Sequence, residues 1–422
     1  MNQTLKKTML VLSPLLFLAC GGGDSTTNET STEAPTKIEG KLVVDFPASA
    51  VKAGLIDAGV IESNRTVYGY KAYKIPYVTT DEEGNSVNVS GLLVIPTGLP
   101  EPVKDLGLSM VSDGHGTIFA NNKAPSVTAS KYGVPDGSSV ILTSLGAFAT
   151  LQPDYIGFGD SREHYHPFIL KDSLANATVD FIKQVKLFTK EQNIKLNNQL
   201  FLTGYSEGGY SSMAALKKIE EEDLSDLAVT LAAPMAGPYT LKEMADSILT
   251  QERLLVPSFM ANFGYAYAKA HDEAIDSVIN EPYASMLENL LNGDLNRTQI
   301  DGNLTTLTTS NEGLFSQDFV SNYLTQDDFW FKRALVKNTL HNWAPTTPIR
   351  LVHCKGDNVI PYAISELTQQ SMQSLGASDV ELIPVEQSLG LPTQLGHGEC
   401  GLPAYAVTTK MFAKIRKQTI GY

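Results

Sequence analysis

The chain has 422 residues, 42% of them hydrophobic, and a net charge of −14. No basic stripe exists to neutralise phosphates, which excludes nucleic acid as a partner. Length and apolar content suffice for a large buried core, and past the first residues no stretch is long and apolar enough for a transmembrane helix.

Lys6 and Lys7 precede an apolar run over 9–18 that Pro14 interrupts, too short to span a membrane. It ends Phe17-Leu18-Ala19-Cys20 before three glycines. Residues 1–20 therefore read as a targeting segment similar to a bacterial lipoprotein signal, with Cys20 as the lipid-bearing residue. Ordinary secretion with cleavage near Ala19 is the alternative. Either way the protein leaves the cytoplasm. A lipid on Cys20 would be its only membrane contact, with the outer membrane as destination. Residues 21–40, nearly devoid of large apolar side chains up to Lys37, read as a flexible tether.

Alternating residues over 68–79 and 86–96 surround Asp81-Glu82-Glu83-Gly84-Asn85, which predicts a β-hairpin. An apolar strand over 106–111 runs into Ser112-Asp113-Gly114-His115-Gly116-Thr117. Residues 138–146 read as a helix and 147–151 as a strand, followed by a helix over 173–190 with Leu174, Ala177, Phe181, Val185 and Phe188 on one side. Buried strands are expected at 200–203, 227–233, 349–353 and 380–385. Helices are expected at 210–219, from about 363, and near 405–417. A hairpin followed by strands alternating with helices implies a mostly parallel sheet covered on both faces. Residues 240–345 break the alternation as a helical insertion, so the sheet-bearing core divides into 41–239 and 346–422. The insertion carries Phe259, Phe263, Tyr265 and Tyr267, then Phe329, Trp330 and Phe331. Most of these read as helix core, with some able to line an apolar pocket above the sheet.

Gly204-Tyr205-Ser206-Glu207-Gly208 joins a predicted strand to a predicted helix. Glycines two residues before and after a serine let the chain turn sharply there, so that the hydroxyl leaves the sheet. A serine hydroxyl needs a base, and the base needs an orienting carboxylate. Asp357 follows the strand at 349–353 after a glycine turn, and His397 lies between glycines after the strand at 380–385. Ser206, Asp357 and His397 are thus the candidate nucleophile, acid and base. The amide of Glu207 and one amide of the 115–117 turn, at Gly116, are the candidate oxyanion donors. The Glu207 side chain reads as an acid favoured at a helix N-terminus, or as a group facing the substrate.

Cys354 lies three residues before Asp357, and Cys400 three residues after His397. If acid and base touch, the cysteines come together, and a disulfide would fix both loops; two separate buried thiols are the alternative. Of the other histidines, His115 reads as an oxyanion-loop residue, and His353 as structural. His164 and His166 precede the serine in the chain, the wrong order for its base. His271 and His341 belong to the insertion or its edge. No histidine pair has metal-ligand spacing on a helix, so neither metal nor other cofactor is expected.

These residues resemble the α/β-hydrolase superfamily, where the order Ser, Asp, His is usual. More narrowly the chain is similar to the secretory lipase family. Gly-Tyr-Ser-x-Gly-Gly at 204–209, His-Gly-Thr at 115–117, Ala-Pro-Ser at 124–126, Pro-Asp-Tyr-x-Gly-x-Gly at 153–159 and Trp-Ala-Pro at 343–345 carry the likeness. Glu207 departs from the family's pattern. The resemblance implies an α/β-hydrolase fold with an inserted cap, and carboxylic ester hydrolysis through an acyl-enzyme on small-molecule or lipid esters. A serine peptidase of the prolyl-oligopeptidase-like type, or a non-catalytic surface-binding lipoprotein, are the competing readings.

Overall fold

The computed structural model describes residues 39–422. The expected signal at 1–20, its Cys20 and all but the end of the 21–40 tether lie outside the described residues.

Among the described residues nine strands form one sheet: β1 (Lys41–Phe46), β2 (Gly69–Thr80), β3 (Ser86–Thr97), β4 (Leu108–Gly114), β5 (Ala149–Pro153), β6 (Leu196–Tyr205), β7 (Leu231–Met235), β8 (Ile349–His353) and β9 (Val380–Pro384). Their spatial order is β1-β2-β3-β5-β4-β6-β7-β8-β9. β1, β2 and β3 pair antiparallel, and β3 meets β5 antiparallel. From β5 through β9 every pairing is parallel. This is the α/β-hydrolase fold.

The parallel strands are buried on both faces, and alternate residues feed two separate cores. Met110, Leu200, Leu202 and Ala232 face one core, where the helix Lys171–Glu191 packs through Leu174, Phe181, Val185 and Phe188. Val111, Phe201, Leu231 and Ala233 face the other, against Phe148 and Phe412. The strand period of two and the helix period of 3.6 thus meet on both faces of the sheet. Among the described residues, no helix is long and apolar enough to cross a membrane.

Several edges differ from the sequence expectation. β4 starts at Leu108, because Glu101–Leu106 forms a short helix that ends at Gly107 with a φ of 82°. β7 starts at Leu231, since Ser225–Leu227 is a 3-10 turn. β1 and the helix Ala48–Asp57 were not expected. The last helix spans His397–Thr419 and so begins eight residues before the expected start near 405.

Between β7 and β8 the chain runs through helices Leu241–Ile248, Pro257–Ala270, Ile275–Val278, Tyr283–Leu290, Arg297–Asp301, Gln317–Thr325 and Trp330–Asn338. Tyr267, Phe319, Tyr323 and Phe331 are among its fully buried side chains.

Candidate active site

β6 turns into the helix Glu207–Glu221 at Ser206, whose φ of 62° and ψ of −120° lie outside the regions most L-residues adopt. Such a conformation costs on the order of 1–3 kcal/mol and persists only where its surroundings impose it. Here glycines impose it. A methyl group built on Gly208 would sit 1.8 Å from the Gly114 carbonyl oxygen, and one on Gly204 (φ 154°) 2.4 Å from the Gly208 carbonyl oxygen. β4, β6 and the helix meet backbone to backbone, which a side chain at either position would prevent.

Ser206 Oγ lies 3.0 Å from His397 Nε2, and His397 Nδ1 lies 2.6 Å from Asp357 Oδ2. A carboxylate only accepts, so Nδ1 carries the proton and the Nε2 lone pair faces the serine hydroxyl. His397 is the first residue of its helix. Its amide donates to Asn358 Oδ1 at 3.1 Å, and its carbonyl accepts from the Tyr205 hydroxyl at 2.7 Å. The imidazole is therefore oriented through its own backbone as well as through Asp357.

The Asp357 side chain is fully buried. Oδ1 accepts from the amides of Val359 (2.9 Å) and Ile360 (2.8 Å). Burial alone would raise its pKa. Hydrogen bonds from His353 and His397 outweigh this and hold the carboxyl well below the usual range. The bond from His353 was not legible as a site feature. Its Nε2 donates to Asp357 Oδ2 (3.2 Å) and to the Ile360 carbonyl (3.0 Å), while Nδ1 meets Ser365 Oγ at 2.8 Å.

His353→Phe keeps an aromatic ring at this buried position and removes these bonds. A destabilisation of about 1–3 kcal/mol is expected at pH 7. A carboxylate with a depressed pKa contributes stability above its unfolded value of about 3.9 and loses it as pH falls. The deficit of the variant should therefore persist from pH 7 to pH 4 and narrow only as pH falls below about 3.9, which urea midpoints at pH 7 and about pH 2.5 would read. Equal midpoints at pH 7 would refute the role.

The segments that carry Asp357 and His397 are joined twice more. Cys354 and Cys400 form a disulfide. Glu386, missed in the sequence, accepts from the amides of Lys355 (3.1 Å) and Gly356 (3.4 Å) on one segment and Leu395 (3.1 Å) on the other. Burial opposes its ionisation, but these backbone donors prevail and lower its pKa.

On the other side of Ser206, a methyl group on Gly116 would lie 3.7 Å from Ser206 Cβ, so the 115–117 turn packs against the serine. His115 ties that turn down: Nδ1 contacts the Gly116 carbonyl at 2.8 Å and Nε2 the Asp154 carbonyl at 3.2 Å. Asp154 in turn accepts from the Ser126 amide and from the hydroxyls of Ser90 and Ser126.

Glu207 fits neither expectation fully. It opens the helix as an acid at an N-terminus should, yet it is only 1% exposed, and its Oε1 lies 2.6 Å from His166 Nε2. His271 and His341 lie outside these contacts, while His164 sits in the turn after Ser161. Among the described residues no cluster of three or more His, Cys, Asp or Glu side chains could hold a metal ion.

Ser206 and Glu207 form part of the wall of a narrow apolar cleft with a cavity volume of about 100 Å³. Phe259, Phe263, Phe315 and Phe331 of the insertion line it, together with Phe168. Tyr265 and Tyr267 belong instead to the buried core, and Phe329 and Trp330 pack against it.

A sheet of this topology with a serine at the β6 turn defines the class of α/β-hydrolases. Residues 139–391, more than half of the chain, match the secretory lipase family, and the chain belongs to that family. It is accordingly an ester hydrolase. Solved structures of similar fold include a Legionella pneumophila protein described as a candidate hydrolase (24% identity, TM-score 0.75, 90% of this chain and 98% of that one). The rice cell wall degrading esterase LipA from Xanthomonas oryzae follows in its ligand-bound form (22%, 0.74, 90% and 97%). Candida antarctica lipase A in its closed state is more distant (15%, 0.58, 87% and 78%). Comparison with curated proteins found no match.

Proposed function

We propose that the protein is a serine carboxylic ester hydrolase that works through an acyl-enzyme. The unbroken hydrogen-bond chain Ser206–His397–Asp357, opening on an apolar cleft, carries this reading. Ser206 Oγ attacks the ester carbonyl as His397 Nε2 takes its proton. The imidazolium so formed is stabilised by the ionised Asp357. The oxyanion is met by the amides of Glu207 and Gly116. His397 returns the proton to the departing alcohol, and water then repeats the sequence to release the acid.

The aromatic lining favours an apolar acyl group, so the substrates are small-molecule or lipid esters. The helical insertion at 240–345 acts as the cap of this cleft. Cys20 would tether the enzyme outside the cytoplasm by its lipid, at the outer membrane.

The test is a series of p-nitrophenyl esters of increasing acyl length, assayed on protein lacking residues 1–37. Turnover at some length, with peptide amides cleaved far more slowly, is expected. No turnover at any length would overturn the proposal, and preferential amide cleavage would favour a peptidase.

A further inference from the structure

The side chain next to the nucleophile is an acid, and an acid there works against the reaction. An ionised Glu207 would stand beside the developing oxyanion in a buried setting where charges are weakly screened. It lies in the wall of the cleft together with Ser206, and its carboxyl is almost wholly buried. Its Oε1 meets His166 Nε2 at 2.6 Å, and its Oε2 has no hydrogen-bond partner among the described residues.

His166 is itself buried, and its Nδ1 lies 2.8 Å from the Ile156 carbonyl. A carbonyl only accepts, so Nδ1 carries a hydrogen. The short contact between Nε2 and Oε1 then needs a second hydrogen, because a lone pair facing a carboxylate oxygen at that distance would repel it. That hydrogen can sit on nitrogen, giving imidazolium and carboxylate, or on oxygen, giving imidazole and carboxylic acid. In both cases the pair has no net charge.

We propose that His166 is a positioning residue of the esterase: by sharing one proton with Glu207 it holds the residue after the nucleophile free of net charge, where the oxyanion forms. This rests on the serine esterase reading above. The other groups around the pair do not supply the proton. The buried Tyr155 is held protonated by desolvation and bears no charge. His115 is committed to the carbonyls of Gly116 and Asp154, and His397 to Ser206 and Asp357. The Asp154 carboxyl points to Ser90 and Ser126.

The test is His166→Gln, which can donate a hydrogen bond to Glu207 but brings no titratable proton. For a short-chain ester, kcat should fall about 30-fold with KM changed less than about threefold. The double variant H166Q/E207Q, which removes the charge altogether, should regain at least about tenfold of the lost kcat. Thermal melts establish that both variants are folded. A purely structural His166 would leave the double variant as slow as the single one, and that result would overturn the proposal. Fluorophosphonate labelling of the wild type separates the two claims. A wild type without labelling or turnover would sink the esterase reading, whereas labelling and turnover that H166Q leaves intact would sink only the role of His166.

Discussion

Ser206→Ala is expected to lower kcat for ester hydrolysis by about 10⁴- to 10⁶-fold while leaving the fold unchanged. The variant retains Cβ, and the glycines that impose the turn at Gly204 and Gly208 remain. What disappears is the one atom that His397 Nε2 faces at 3.0 Å. Asp357→Asn should cost about 10⁴-fold by a different route. The carboxyl at 357 accepts four hydrogen bonds, from His397, His353 and the amides of Val359 and Ile360. An asparagine keeps one acceptor oxygen and presents a donor NH₂ to part of that ring, which turns the imidazole to the wrong tautomer. Because the three side chains act as one unit, S206A/D357N should be no slower than S206A alone. Burst titration with a p-nitrophenyl ester reads this directly. Additive losses, or full activity in S206A, would remove the serine from the mechanism.

The parts of this machinery that were legible in the sequence are those fixed by local constraint. The 204–208 turn announces itself because its glycines answer to steric contacts that no other residue tolerates. β6, β8 and the helix Lys171–Glu191 announce themselves because burial on both faces, or on one stripe, leaves a periodic trace. Asp357 and His397 stand out as candidates because each follows a strand end in the usual order. What escaped depends on contacts between distant segments. His166 lies 41 residues before Glu207, on the wrong side of Ser206 in chain order for its base, yet folding brings the two within 2.6 Å. Glu386 looks like any helix-opening acid until the amides of two loops converge on it. The early start of the last helix was hidden by Gly398 and Pro403, which weaken helix propensity over its first turns. There the disulfide at Cys400 and the bond from the His397 amide to Asn358 Oδ1 hold the chain against that preference. β1 is a single edge strand paired only with β2, with a register shift between Leu42 and Val44, too short and irregular to leave a pattern.

Replacing both cysteines, as C354A/C400A, should separate stability from catalysis. The bond joins residues 46 apart in sequence. In the chain-entropy account, closing a loop of that length stabilises by about 4 kcal/mol, within an observed range of about 2–5. Both cysteines are fully buried in the core beside Val352 and Val385, so part of the loss is packing and part is unfolded-state freedom. The urea midpoint should fall accordingly. Turnover should fall much less, by about three- to tenfold at 25 °C, because other bonds hold the base in place. Glu386 still spans the two segments, Asn358 still holds the His397 amide, and the Tyr205 hydroxyl still holds its carbonyl. Activity measured against temperature should therefore track that of the wild type at first and collapse earlier on heating. If kcat fell a hundredfold or more in a variant that remained folded, the disulfide and not this hydrogen-bonded frame would be what sets the position of His397. An unchanged midpoint would mean that Glu386 and the surrounding core hold the two segments together without it.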